Sequence, residues 1–427
     1  MRKIIENSFD QQVKDLQTLI RIPSVSRGEP KEGMPYGEHV FRALRTAQDI
    51  ARKLGFEKVW DVEARCGVVE YGQGDEVVAV MAHLDVVPEG TGWQYPPYGA
   101  EIHDGAMYGR GTADDKGAAV SALYALYALK ESGAKMKRRV RILLGCDEER
   151  GSTGIERYRE VEGEPDLAFT PDATYPVVNS EMNISHMLFE KKYSTAVRAK
   201  VGTAMNVIPG TAEATVPALS MQGKEGHASM PDHADNALAK LLKALSEADL
   251  SAPDRETFSG LAALLCGYYL GVGLGVDFTD ASGRLTLAPT VFTADENGVS
   301  IGFDIRYPAS MTFEQLTGPI DERMGKLGFA CKERSNSLGH YIAPESELVS
   351  TLMDVYGELS GDRESKPISI GGGTYAREFK NAVAVGVTRP DRPDLCHIAN
   401  ENILLSEMLF NTPVSYTHLT LPTICSV

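Results

Sequence analysis

Residues 77–88 read VVAVMAHLDVVP. The apolar run VVAVMA at 77–82 suits a short strand buried on both faces, as in a parallel sheet covered by helices. It stops abruptly at His83 and Asp85. In open parallel sheets, ligands bind beyond the carboxyl ends of the strands, so the residues that end such a run are candidates for chemistry. The same texture recurs along the chain. VRILLG at 140–145 is followed by Glu148 and Glu149 in CDEER, and LAFT at 167–170 by Asp172 in PDAT. AVAVGV at 382–387 precedes His397 in DLCHIANE, and the Gly-rich turn GRGTADDKG at 109–117 puts Asp114 and Asp115 where a helix toward Ser132 begins.

Outward from these runs, residues 1–181 alternate strand and helix patterns, the mark of a mostly parallel α/β sheet. Amphipathic helices are expected at 9–22 and 39–54. From 182 to 344 the texture changes to antiparallel strands and helices. Strands are expected at 186–190, 195–201, 212–222, 300–307 and 329–333, with helices at 236–248, 256–270 and 312–327. Residues 345–412 return to the first pattern. The fold class is therefore α/β: a mostly parallel-sheet domain interrupted by an inserted α+β domain. The tail 413–427 stands apart. NILLSEMLFN at 402–411 opens an amphipathic helix, which Pro413 and a β-branched run are expected to break. VSYTHLTLPT at 414–423 also matches the translation of a sequencing-library adapter, so His418 and Cys425 receive no role.

The 427 residues carry 43 Lys+Arg against 59 Asp+Glu, a formal net charge of −16, which repels phosphate backbones and anionic membranes. Nucleic acid and membrane partners are accordingly not expected. The charged start MRKIIENSFD has no signal-peptide core, and no apolar run approaches the roughly 18 residues of a membrane span, which predicts a cytoplasmic protein. The six cysteines form no CxxC pair, against thiolate zinc sites and disulfide frameworks alike.

Taken singly, each motif has an ordinary reading. HxD is usually a satisfied surface pair, Asp-Asp before a helix is usually capping, and Glu-Glu is usually solvated. Together, several acids at neighbouring strand ends would repel one another unless cations neutralise them. Two histidines with three or four carboxylates form the mixed nitrogen and oxygen set that suits Zn²⁺, Mn²⁺ or Co²⁺. A pair of such ions needs one bridging carboxylate and a further acid left free as general base.

MAHLDVVP, GRGTADDKG, DEERGSTG, TPDAT and CHIANE resemble the metal-binding motifs of the M20 family of di-metal peptidases. NVIPG at 206–210, GKEGHAS at 223–229, FDIRYP at 303–308 and GGGTYARE at 371–378 are most similar to its dipeptidase branch, the PepV-like and Sapep-like enzymes. The resemblance runs from IRIPSVS at 20–26 to Glu401. It implies that the parallel-sheet domain is a catalytic domain of the di-zinc exopeptidase type, that the inserted α+β domain is its lid, and that the site is complete. His83 and Asp172 would hold one metal, Glu149 and His397 the other, with Asp114 bridging. Glu148 would be the general base, and Asp85 would orient His83. The bond between Asp114 and Asp115 would be cis. From the lid, His227 would stabilise the oxyanion, Asn206 and Arg306 would hold the substrate carboxylate, and Gly372, Gly373 and Thr374 would leave room for its backbone. Two divalent ions per chain are implied, zinc first, with manganese or cobalt as alternatives.

The expected activity is hydrolysis of dipeptides. Its rival within the superfamily is deacylation of N-acyl amino acids, of the succinyl-diaminopimelate or acetylornithine type. A metal-dependent binding module that has lost activity is disfavoured because every ligand and Glu148 are present. The small-peptide substrate would meet a monomer, because a long lid can supply His227 within one chain; a homodimer is the alternative. Cys396 stands where relatives carry an apolar residue, a change expected to be tolerated.

Overall fold

A computed structural model describes residues 2–26, 30–265, 268–393 and 395–420, with the side chains of 268 and 414–420 left out. The chain divides into two compact units: Met1–Asn179 with Ile342–Ile368 and Thr374–Val427, and Ser180–Tyr341 with Ser369–Gly373.

The first unit is built on the strand that the opening motif marks. Val77–His83 is buried at all seven positions. It lies parallel to Arg139–Gly145 on one side and to Leu167–Thr170 on the other, and Ala382–Ala384 continues the parallel set beyond Leu167–Thr170. Antiparallel strands Cys66–Tyr71 and Lys58–Val62 extend the sheet past Arg139–Gly145. Register pairs His83 with Gly145, so the segments after these two strands leave the sheet side by side. Helices cover the sheet; Lys116–Glu131 is apolar almost all round and is buried at thirteen positions, as a central helix must be. Among the described residues, no helix is long and apolar enough to cross a membrane.

The C-terminal helix, Leu405–Thr420, does not stop at Pro413 as expected. Proline removes one N–H from a helix, but packing outweighs that local loss. Met408 is fully buried in the main core, and buried Thr412 accepts a hydrogen bond from Gln12 Nε2 at 2.8 Å. Residues 421–427 lie outside the described residues.

The second unit carries a seven-stranded antiparallel sheet, in the order Ala218–Gln222, Thr211–Val216, Arg198–Val201, Thr286–Asp295, Gly298–Tyr307, Asn183–Lys192 and Ala330–Arg334. The single strand expected at 212–222 is a hairpin that turns at Pro217, a residue with no N–H to give a ladder. The helix expected at 256–270 is Ala252–Leu264, started by Ser251, whose side chain accepts from Asp254 N.

Candidate dinuclear metal site

Five segments deliver the donors: His83 ends the strand Val77–His83, Glu149 and Asp172 follow the parallel strands Arg139–Gly145 and Leu167–Thr170, and Asp114 and His397 come from the turns before Lys116–Glu131 and before Asn402–Leu404. Two groups form, each with ligand atoms within 4.8 Å of one another: His83, Asp114 and Asp172, and Asp114, Glu149 and His397. Asp114 belongs to both. Its Oδ1 lies 2.9 Å from His83 Nε2 and its Oδ2 3.0 Å from His397 Nε2. Asp172 Oδ2 is 3.8 Å from His83 Nε2, and Glu149 Oε1 is 3.1 Å from His397 Nε2. The five donors named from the sequence thus converge in one unit. The Asp114–Asp115 peptide bond is cis.

The electrostatics of the cluster are those of crowded acids. Burial, together with Asp172, Glu149 and Asp114, pushes Glu148 well above the usual carboxylate range despite nearby His83. Burial and Asp114 push Asp172 up to about 7. Contacts with Asp114 and Glu149 push His397 up to about 11. Burial works against ionisation of Asp114, yet its contacts with His397 and His83 hold it far below its ordinary value. The donor set fits divalent cations on one further observation. His83 Nε2 is buried and faces Asp114 Oδ1 at 2.9 Å without making a hydrogen bond, the posture of two ligands aimed at a common ion.

Asp85 does more than was expected of it. His83 Nδ1 lies 2.9 Å from the backbone carbonyl of Asp85 and 3.5 Å from its carboxylate. The carboxylate instead accepts backbone N–H bonds from Glu148 (3.1 Å) and Glu149 (3.3 Å). One residue therefore fixes both the imidazole and the turn that carries the two glutamates. Asp115 does not cap the helix that follows it; its carboxylate accepts the His83 N–H at 3.0 Å.

The second unit holds Asn206, His227, Arg306, Gly372 and Gly373 of the other sequence-named residues. Val207–Ile208 pairs with Gly226–His227, which sets exposed Asn206 and His227 at one small ribbon. His227 Nδ1 accepts the Ser229 N–H at 3.1 Å, so in the neutral ring the proton resides on Nε2. Arg306 is buried, forked on Asp304 through Nε (2.7 Å) and Nη2 (2.8 Å), with Nη1 donating to Gly371 O at 2.6 Å. Gly372 and Gly373 belong to this unit, whereas Thr374 belongs to the first, where its hydroxyl accepts the Ala376 N–H. Sequence reasoning assigned nothing to Arg110 or Glu401, which form a buried ion pair at 2.6 Å. A signal was present in the glycines of GRG before the Asp114 turn, and Gly111 adopts φ +92°, a conformation that glycine takes without strain.

A mixed sheet with a parallel centre, beside which two carboxylate–imidazole groups share one aspartate, points to the class: a metal-dependent hydrolase with candidate donors for two ions. Residues 79–416 match peptidase family M20/M25/M40, and the chain belongs to that family. It is 31% identical over 443 residues, 94% of each chain, to YtjP of Bacillus subtilis (strain 168), a protein provisionally named a dipeptidase. It is 29% identical to the Beta-Ala-Xaa dipeptidase of Lactobacillus delbrueckii subsp. lactis, over 97% of this chain and 96% of that one. The di-peptidase Dug1p of Saccharomyces cerevisiae shares the fold, with TM-score 0.64 and 16% identity over 98% of this chain and 97% of that one.

Proposed function

We propose that the chain is a dipeptidase that hydrolyses the peptide bond of short peptides at a pair of divalent ions. The observation that carries this reading is Asp114, which is common to two donor groups beside a glutamate, Glu148, that neither group uses. His83 and Asp172 would hold one ion, Glu149 and His397 the other, with Asp114 bridging. Zinc suits this nitrogen and oxygen set best, with manganese or cobalt able to replace it. Such a pair, when bound, polarises the substrate carbonyl and lowers the pKa of water.

The chain's own residues do the rest. Glu148, held above the ordinary carboxylate range by burial and its acidic neighbours, takes a proton from the attacking water and returns it to the departing amine. Asp85 keeps Glu148 in place through the backbone. Residues 182–344 act as a lid. From it, His227 Nε2–H stabilises the oxyanion, a contact that matters only as charge develops. Asn206 and Arg306 receive the substrate carboxylate, and Gly372, Gly373 and Thr374 leave room for its backbone. Supporting Arg306 is its fork on Asp304, which fixes the guanidinium and leaves Nη protons for a second acceptor. The enzyme works as a monomer in the cytoplasm, where free buried thiols such as Cys66 and Cys146 persist.

The test is a substrate panel: purified protein with Zn²⁺ or Mn²⁺, offered Ala-containing dipeptides and N-acetyl amino acids. Faster turnover of dipeptides is expected, and preference for acyl amino acids would overturn the reading. Glu148→Gln should lower kcat by roughly 10²–10⁴-fold while the metal content stays near that of the wild type.

A further inference from the structure

A carboxylate outside the donor set ties the two metal groups together. Glu401, four residues beyond His397, has no exposed surface. Its Oε1 accepts the backbone N–H groups of Gly111 (3.0 Å), Ala113 (2.9 Å) and Asp114 (3.2 Å). Its Oε2 lies 2.6 Å from Arg110 Nη1, and its own carbonyl accepts the Gly109 N–H at 3.0 Å. The turn 109–114 thus spends four of its amides and one guanidinium on a single residue. Amides converging on one oxygen form a nest for an anion, and a buried carboxylate is tolerated only with such partners. Arg110 is fixed in turn, 1% exposed and lying over the Trp93 ring at 5.4 Å.

A simple loop staple would explain burial but not the aim. One amide received is that of Asp114 itself, the residue common to both donor groups, and the chain runs from Glu401 back to His397 within one short turn. On that route, Asn400 Oδ1 accepts the Gln94 N–H at 2.6 Å, so the turn is anchored independently of Glu401 and has little room to drift. A shift of Glu401 would therefore move Asp114 relative to His397, whose Nε2 lies 3.0 Å from Asp114 Oδ2.

We propose that Glu401 is a positioning residue of the metal centre, setting the bridging Asp114 against His397 by clamping the 109–114 turn onto the 397–401 turn. The proposal rests on the dinuclear reading above. Its test is titration of metal-stripped protein with Zn²⁺ by calorimetry, alongside thermal melts of the stripped forms. Glu401→Gln turns an NH₂ toward either the nest or Arg110. It should weaken Zn²⁺ binding roughly 10–100-fold, the range found for groups that orient ligands.

Glu70→Gln is the control. It breaks another buried pair of the same unit, Glu70 with Arg141 at 2.8 Å, toward the far end of the strands from Gly145. It should lower the melting temperature and leave Zn²⁺ affinity unchanged. A purely structural Glu401 would behave the same way, so wild-type Zn²⁺ affinity in Glu401→Gln overturns the proposal. If Glu401→Gln does not fold, Glu401→Asp, one methylene too short for the nest, is read by the same criterion. A wild-type protein that binds no Zn²⁺ would instead overturn the dinuclear reading, and the proposal with it.

Discussion

Asp85→Asn is the most informative single change. The buried Asp85 carboxylate accepts the Glu148 N–H through Oδ1 and the Glu149 N–H through Oδ2. An asparagine can accept on one side only, so its NH₂ must face one of these amides donor to donor. A hydrogen bond to a charged acceptor contributes about 1.5–3 kcal/mol and a neutral one about 1 kcal/mol. Losing one and neutralising the other therefore removes about 3 kcal/mol from the turn that presents both glutamates. At about 1.4 kcal/mol per decade, the full effect on catalysis is roughly 100-fold in kcat/KM. Because the Asp85 carbonyl, not its carboxylate, is the closer partner of His83 Nδ1, the imidazole should keep its orientation. The assay is steady-state hydrolysis of an Ala-containing dipeptide at saturating metal, with a thermal melt of the same preparation. A variant within threefold of wild type in kcat/KM would refute the reasoning that this carboxylate holds the Glu148–Glu149 turn.

Two further outcomes are expected. Arg306→Lys keeps the charge but cannot reproduce the fork on Asp304 together with the Gly371 contact, so KM for dipeptides should rise about tenfold, one hydrogen bond at roughly 1.4 kcal/mol, with kcat less affected; an unchanged KM would remove Arg306 from substrate binding. Met408→Ala empties a fully buried position on the C-terminal helix and should cost about 2–5 kcal/mol in urea unfolding, whereas a loss under about 0.5 kcal/mol would mean that the helix does not pack as described.

The candidate site was legible because its residues interrupt strong signals. Apolar runs that end in His83, in Glu148 and Glu149, or near Asp172 announce both a buried strand and what it delivers. What sequence reading missed was most of the support behind those residues, since it named Asp85 only as a partner of His83. Asp85 and Asp115 act on backbone amides of segments far along the chain, and Glu401 reaches back to 111–114. Backbone amides leave no trace in side-chain pattern, so only the fold reveals them. The central strand Thr286–Asp295 also escaped notice, because Pro289 interrupts its register with Gly298–Tyr307 and hides its alternation. Pro413 misled in the opposite sense. A local breaker was overruled by the buried contacts of Met408 and Thr412, which periodicity alone does not weigh.

Elemental analysis of the purified enzyme, joined to anomalous diffraction at the zinc edge, tests the central claim most directly. Two ions per chain are predicted, one between His83 and Asp172 and one between Glu149 and His397, with Asp114 touching both. A chain that takes up at most one ion under metal excess, or carries its ions away from Asp114, would contradict it.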